Sequence, residues 1–356
     1  MAKKKVTKKK TQVRRRAKLT RILSLDGGGI MGILPGQVLV ELEAILQEKT
    51  SNPEARIADF FDLIAGTSTG GILAAALLCP DENGRPRFSA QETVDIYLNR
   101  GDEIFDVSFW QRIRSTGGIT DEKYSAEELE ETLQDYFGDT CLSQLLKPCL
   151  ITAYDLRNRE AHFFTQHDAG VSSPDFLVRE LCRATSAAPT YFEPARIKDV
   201  TKRHVFPLID GGVFANNPAM CAYAEARSMD FSAEGRAENP TAVQMAMLSI
   251  GTGKDRKPYQ YKEAKDWGMV GWVRPIIDIL MAGNADTIDY QLDQIFDSID
   301  APNQYLRIDP FMGAATNEMD DARPENLEAL AMAGEDTGDF HRPDLERFAD
   351  ILIANA

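Results

Sequence analysis

Four apolar runs in this sequence each stop in a glycine-rich turn, and that recurrence constrains the fold more than any other feature. Ile22-Leu23-Ser24-Leu25 runs into Asp26-Gly27-Gly28-Gly29, and Phe60 to Ala65 into Gly66-Thr67-Ser68-Thr69-Gly70-Gly71. Val205 to Ile209 runs into Asp210-Gly211-Gly212, and Met245 to Ile250 into Gly251-Thr252-Gly253. Short apolar runs bounded by glycine read as buried strands. Helical patterns lie between them. From about Pro35, which suits a first helical turn, Val38, Leu42, Ile45 and Leu46 recur at helical spacing. Strands alternating with helices predict an α/β layered fold, in which ligands bind at the carboxyl ends of strands.

Cys149 to Leu156 and Ala161 to Thr165 read as a hairpin through Arg157-Asn158-Arg159. Ser89 with Glu92 and Ser125 with Glu128 are capping boxes that mark two further helix starts. No uninterrupted apolar run approaches the ~18–20 residues a membrane-spanning helix needs. The final stretch, 311–356, is acidic and weakly patterned, and reads as packed on the same domain or partly flexible.

The chain carries 40 basic and 55 acidic side chains, unevenly placed. Residues 1–18 hold ten basic groups and no acid. This arm lacks the apolar region of a secretory signal and reads as a solvated, disordered tail, with attraction to anionic lipid phosphate as its second reading. The acidic remainder disfavours a stable nucleic-acid partner. Five cysteines without a Cys-x-x-Cys pair, and four scattered histidines, argue against a disulfide framework or a metal cluster. They point to a reducing, cytoplasmic setting.

Gly66-Thr67-Ser68-Thr69-Gly70 is a Gly-x-Ser-x-Gly between a strand and a helix. That context bends the chain sharply and pushes one hydroxyl into the open. The competing reading makes Ser68 a helix cap. In Asp26-Gly27-Gly28-Gly29-Ile30-Met31-Gly32, successive glycines free backbone N–H groups to point into one concavity, which suits an anion. An oxyanion hole and a dinucleotide fingerprint (Gly27, Gly29, Gly32) both fit. The fingerprint also needs an acidic residue at the end of the next strand, and that strand ends at the serine turn instead. Asp210-Gly211-Gly212 supplies a carboxylate at a strand end. A nucleophilic serine needs a base. His341 alone follows Asp210, while His162, His167 and His204 precede it, and none sits in a glycine-rich turn. Asp210 acting directly as base needs fewer assumptions than a triad, although an aspartate before glycine is also an ordinary turn residue.

Together these motifs resemble the patatin-like phospholipase family, lipid acyl hydrolases related to cytosolic phospholipase. The matching stretches are Leu23–Ile30, Gly66–Gly71, Ala184-Thr185-Ser186-Ala187-Ala188-Pro189-Thr190-Tyr191-Phe192, Asp210–Pro218 and Leu248–Gly253, with Asn303–Ile308 as an extension. The resemblance covers 19–310, read as one acyl hydrolase domain. It implies a three-layer α/β sandwich, a mostly parallel central sheet with helices on both faces. It also implies a Ser–Asp dyad of Ser68 as nucleophile and Asp210 as base, with oxyanion-hole N–H groups from Gly27, Gly28 and Gly29. Asp26, Gly32, Gly66, Gly70, Gly211 and Gly212 support the motifs. The implied reaction takes an acyl lipid and needs no metal or cofactor. One departure is Met31, where the family usually has arginine or lysine.

A lipid substrate calls for apolar surface at the membrane, and Phe105, Phe109 and Trp110 beside Arg112 and Arg114 are the candidate lip, at the inner face of the membrane. Ordinary core aromatics are the competing reading. Other readings are a general serine esterase or protease, and a catalytically weak binding or scaffold protein on the same fold. Some bacterial proteins similar to the family are antiviral effectors gated by a nucleotide, which would add a small-molecule activator. Gly251-Thr252-Gly253-Lys254 lacks the spacing of a phosphate loop.

Overall fold

A computed structural model describes residues 18–104, 126–253 and 258–356. The expected lip residues Phe105, Phe109, Trp110, Arg112 and Arg114, the arm up to residue 17, Ser125 of the second capping box, and Lys254 lie outside those residues.

Eight strands form one sheet: β1 (Thr20–Leu25), β2 (Leu63–Thr67), β3 (Cys149–Asp155), β4 (Glu160–Thr165), β5 (Ala195–Lys198), β6 (Val205–Asp210), β7 (Met245–Ile250) and β8 (Tyr305–Ile308). The helices longer than one turn are α1 (Ile33–Thr50), α2 (Thr69–Leu78), α3 (Ala90–Ile104), α4 (Ala126–Phe137), α5 (Val178–Thr185), α6 (Ala219–Ala226), α7 (Gly268–Asp297) and α8 (Pro324–Ala354). Strands β3-β2-β1-β7-β8 are mutually parallel; β4, β5 and β6 add antiparallel pairs.

The side-chain alternation of a strand builds two cores. Leu23, Leu25, Ile64, Ile151 and Leu248 face a layer that includes α1, α2, α3, α5 and α8. Ile22, Leu63, Ala65, Leu150 and Met247 face the opposite layer, made by α6 and the second half of α7. This is the three-layer sandwich expected.

The four apolar runs that end in glycine contain β1, β2, β6 and β7, although β2 begins at Leu63 because Phe60 closes a helical turn (Ile57–Phe60). β5 and β8 are strands that the pattern did not predict. The hairpin forms, with Asp155 opposite Glu160. Ser89 and Glu92 form their capping box: the Ser89 N–H donates to Glu92 Oε2 (2.8 Å) and the Glu92 N–H to Ser89 Oγ (3.2 Å). The C-terminal stretch, weakly patterned in sequence, contains the 31-residue helix α8, which packs along α1. One helical stretch, Gly29–Thr50, does have the length and hydropathy to cross a membrane, contrary to the reading of the sequence, which considered only uninterrupted apolar runs. Most of its apolar window, 78%, is buried inside the protein, between the sheet and α8.

Candidate active site

Ser68 and Asp210 are brought together by strands that meet end to end. Along one edge β3 carries β4; its other edge is shared. β2 runs parallel beside Cys149–Thr152 and ends with Thr67 opposite Thr152. β6 runs antiparallel beside Ala153–Asp155 and ends with Asp210 opposite Ala153. The two chains thus approach from opposite directions and finish at consecutive positions of β3. Ser68 follows Thr67 directly.

Ser68 bridges β2 and α2 with φ 55° and ψ −124°. Such backbone costs an L-residue about 1–3 kcal/mol and persists only where the surroundings enforce it. They do so here. The Ser68 N–H donates to Thr185 Oγ1 (2.8 Å), and that hydroxyl donates to the Thr152 carbonyl (2.6 Å). A Cβ at Gly66 would lie 2.2 Å from the Gly70 carbonyl oxygen, and one at Gly70 would lie 2.2 Å from the Leu25 carbonyl oxygen. Both glycines are required because backbone meets backbone. Gly66→Ala is therefore expected to destabilise the protein by about 3 kcal/mol or more, at the upper end of overpacking costs. Chemical denaturation checks this, and an unchanged midpoint would contradict the packing.

Asp210 is 5% exposed. Its carboxylate Oδ1 accepts the Gly212 N–H (2.7 Å), and its own N–H donates to the Ala187 carbonyl (3.0 Å). The segment Ala184–Ala188 thus holds both partners, Ser68 through Thr185 and Asp210 through Ala187. Burial pushes the Asp210 carboxyl up to about 6, against the pull of the nearby Ser68 hydroxyl and of the Gly212 N–H.

The glycine turn lies alongside. The Gly27 N–H donates to the Asn216 carbonyl (3.0 Å). The Gly27 carbonyl accepts from Thr252 Oγ1 (2.7 Å) and Asn216 Nδ2 (3.3 Å). Gly27 is thereby clamped, and its N–H is committed elsewhere. Gly28 and Gly29 line the cavity beside Ser68. Their N–H groups, and those of Thr69 and Gly70 at the start of α2, have no hydrogen-bond partner among the described residues. Of the three expected donors, two have N–H groups to offer. Asp26, at the start of the turn, pairs with Arg307 through two bonds (2.6 and 3.0 Å). Met31 is 8% exposed and belongs to the core. The cation that reaches this turn comes from β8 instead.

A cavity of about 120 Å³ joins these groups. Ile72, Leu129, Pro189, Phe192, Met281 and Met319 are among the apolar side chains in its wall, which Ser68 and Asp210 also line. The lining suits a hydrocarbon chain held beside the two polar groups. All four histidines lie off this wall: His162 among Phe164, Phe176 and Phe206, His167 on Glu225, His204 on Asp199 and His341 on Asp344. Away from the cavity, donor atoms of His167, Asp168 and Glu225 come within 4.8 Å of one another, a convergence that the scattered sequence positions hid. His167 Nε2 and Glu225 Oε1 are hydrogen-bonded there at 2.9 Å.

Sequence reasoning passed over the supporting residues. Thr185, Asn216, Thr252 and Arg307 all fall within motifs quoted above, but other polar residues such as Asn217, Asn303 and Gln304 stand in the same motifs and no local signal singles these four out.

These features define a class: a three-layer α/β protein with a serine on a strand–turn–helix bend beside a buried carboxyl, in a cavity walled largely by apolar side chains. The chain belongs to the patatin-like phospholipase family, which matches residues 23–223. It is 34% identical over 351 residues to Patatin group J-1 of Solanum tuberosum, covering 93% of this chain and 89% of that protein. Patatin-like protein 2 of Oryza sativa subsp. japonica is 35% identical over 343 residues, covering 90% and 84%. A second Solanum tuberosum protein, Probable inactive patatin-3-Kuras 1, is 33% identical over 351 residues, covering 93% and 92%. Lipid acyl hydrolysis is the activity this family supports in general. A relative described as probably inactive means that membership alone does not decide turnover, so the chemistry must be argued from the site.

Proposed function

We propose that this protein cleaves fatty-acyl esters of membrane lipids, a phospholipase A-type reaction, with Ser68 as nucleophile and Asp210 as base. The observation that carries the reading is that Asp210, opposite Ala153 of β3, and Ser68, directly after Thr67 opposite the neighbouring Thr152, both line one largely apolar cavity. Asp210 accepts the Ser68 proton as Oγ attacks the ester carbonyl. The developing oxyanion faces the N–H groups of Gly28 and Gly29, donors worth about 3–4 kcal/mol each in comparable sites. Collapse expels the lipid alcohol, which takes the proton from Asp210 and leaves an acyl group on Ser68. Water then attacks the acyl carbonyl and gives its proton to Asp210. The second collapse returns that proton to Ser68 Oγ and frees the fatty acid.

A base must be ionised to act. With the Asp210 carboxyl at about 6, activity is expected to fall as pH drops through about 6 and to level off above about 7. A kcat/KM profile checks this; a profile flat from pH 5 to 8 would remove Asp210 from the role. The reading as a whole is tested with a fluorophosphonate probe, which reacts with activated serines. A single adduct on Ser68, found by peptide mass spectrometry, supports the enzyme. No labelling favours the scaffold reading. Hydrolysis confined to short soluble esters favours the general esterase.

A further inference from the structure

We infer that the exposed stripe on the first half of helix α7 is the surface by which the protein docks on a phosphatidylcholine-type bilayer, setting the mouth of the cavity at the lipid–water interface. The inference rests on the acyl hydrolase reading above and names how its substrate arrives.

Helix α7 has two unlike halves. Its second half is anchored in the protein by Ala285, Leu292 and Phe296. In its first half, no described side chain from Gly268 to Asn284 is buried. Yet that half is apolar: Trp272 is 41% exposed, Ile276 45%, Ile279 43% and Leu280 59%. Their spacing puts them in one stripe along the helix. Apolar surface gathered in this way on a folded protein marks a binding surface.

Three observations select the occupant. First, the stripe is continuous with the cavity. Leu280 is both exposed and part of the cavity wall, next to Ile277 and Met281. Val213, 44% exposed, belongs to the same wall. An acyl chain leaving a bilayer would pass over Leu280 into the cavity without crossing water. A second copy of the protein on this stripe would cover the mouth instead. Second, the helix begins at an aromatic cluster. Trp267 packs edge-on against Tyr259 (5.2 Å between ring centres) and against Trp272 (4.8 Å). Tryptophan and tyrosine gather at the headgroup level of membranes because each ring has an apolar body and a polar edge. Third, charge does not drive the contact. From Tyr261 to Asn284, Lys262, Lys265 and Arg274 are matched by Glu263, Asp266 and Asp278, and the chain as a whole carries 55 acidic against 40 basic residues. Insertion of apolar side chains, insensitive to salt, is what this surface offers, and it suits a zwitterionic lipid.

The test uses vesicles of an ether-linked phosphatidylcholine, which holds no ester to cleave, so that binding is read without turnover. The full chain is expected to sediment with them at 0.5 M salt as at low salt. The variant Trp272→Gln/Ile276→Gln/Ile279→Gln alters only side chains off the cavity wall. It should bind these vesicles at least tenfold more weakly and cleave ester-lipid vesicles at least tenfold more slowly, while hydrolysing a monomeric short-chain ester within twofold of wild type. Equal vesicle binding by variant and wild type overturns the inference. So does a wild-type dimer that the substitutions convert to monomer without change in vesicle binding. A second measurement needs no variant on the stripe. In Trp110→Phe protein, whose remaining tryptophans are Trp267 and Trp272, brominated phosphatidylcholine should quench the fluorescence, and absence of quenching overturns the inference. A wild-type protein that cleaves soluble esters but leaves vesicles unbound defeats the docking surface and spares the reaction. One that binds vesicles and cleaves no ester does the reverse.

Discussion

Ser68→Ala is expected to lower the rate of fatty-acid release by about 10³-fold or more while leaving the protein folded. Loss of a nucleophile in hydrolases of this chemistry has effects of that order or larger, because the remaining groups can only bind and polarise the substrate. The fold should persist for reasons visible around the turn. The strained backbone is held by the bond from the Ser68 N–H to Thr185 and by the glycine contacts behind it, and none of these uses the hydroxyl. Fatty-acid titration with purified protein, beside a melting curve, makes the measurement. A variant that works at the wild-type rate would place the nucleophile elsewhere.

Asp210→Asn is expected to act in two directions at once. Activity should fall by a comparable factor, because the amide cannot accept the serine proton. Stability should rise at neutral pH. Burial raises this carboxyl from 3.8 to about 6, so the folded state prefers the protonated form. The stability conferred by that preference is complete below the unfolded value of 3.8 and is lost as pH rises through about 6. Above that, holding the ionised carboxylate in place costs up to about 3 kcal/mol, from the shift at 1.36 kcal/mol per unit. An uncharged, nearly isosteric amide removes that cost. Denaturation at pH 7.5 should therefore show the variant more stable than wild type, with the gap closing towards pH 4. Equal stability at both pH values would mean that the site tolerates the charge at no cost. Stability given up at a reacting group is a common pattern in enzymes.

Much of this architecture was legible in the sequence. Each apolar run that ended in glycine contains a strand of the sheet, since a strand covered on both faces needs both faces apolar, and Gly66 and Gly70 sit where backbone meets backbone. Ser68 and Asp210 were legible because each follows such a strand. What brings them together was not. The shared edge of β3 is a matter of register between segments far apart in the chain, and no local pattern encodes it. Gly27, Gly28 and Gly29 looked equivalent as a run. They differ because Asn216, distant in sequence, takes up the Gly27 N–H. Arg307 escaped notice for a similar reason, since an arginine in a short strand announces its partner only once β8 lies near β1. Helix α8 was obscured because only part of it is buried: Leu327, Leu330, Leu345, Phe348 and Leu352 are interleaved with exposed acidic residues.

The most direct test of the account is lipid mass spectrometry of phosphatidylcholine vesicles incubated with the purified protein, with and without prior fluorophosphonate treatment. By this mechanism, untreated protein should release free fatty acid and lysophospholipid in equal amounts, and neither should form after Ser68 is blocked. Intact lipid in the presence of folded, untreated protein, or product formation that survives complete modification of Ser68, would contradict it.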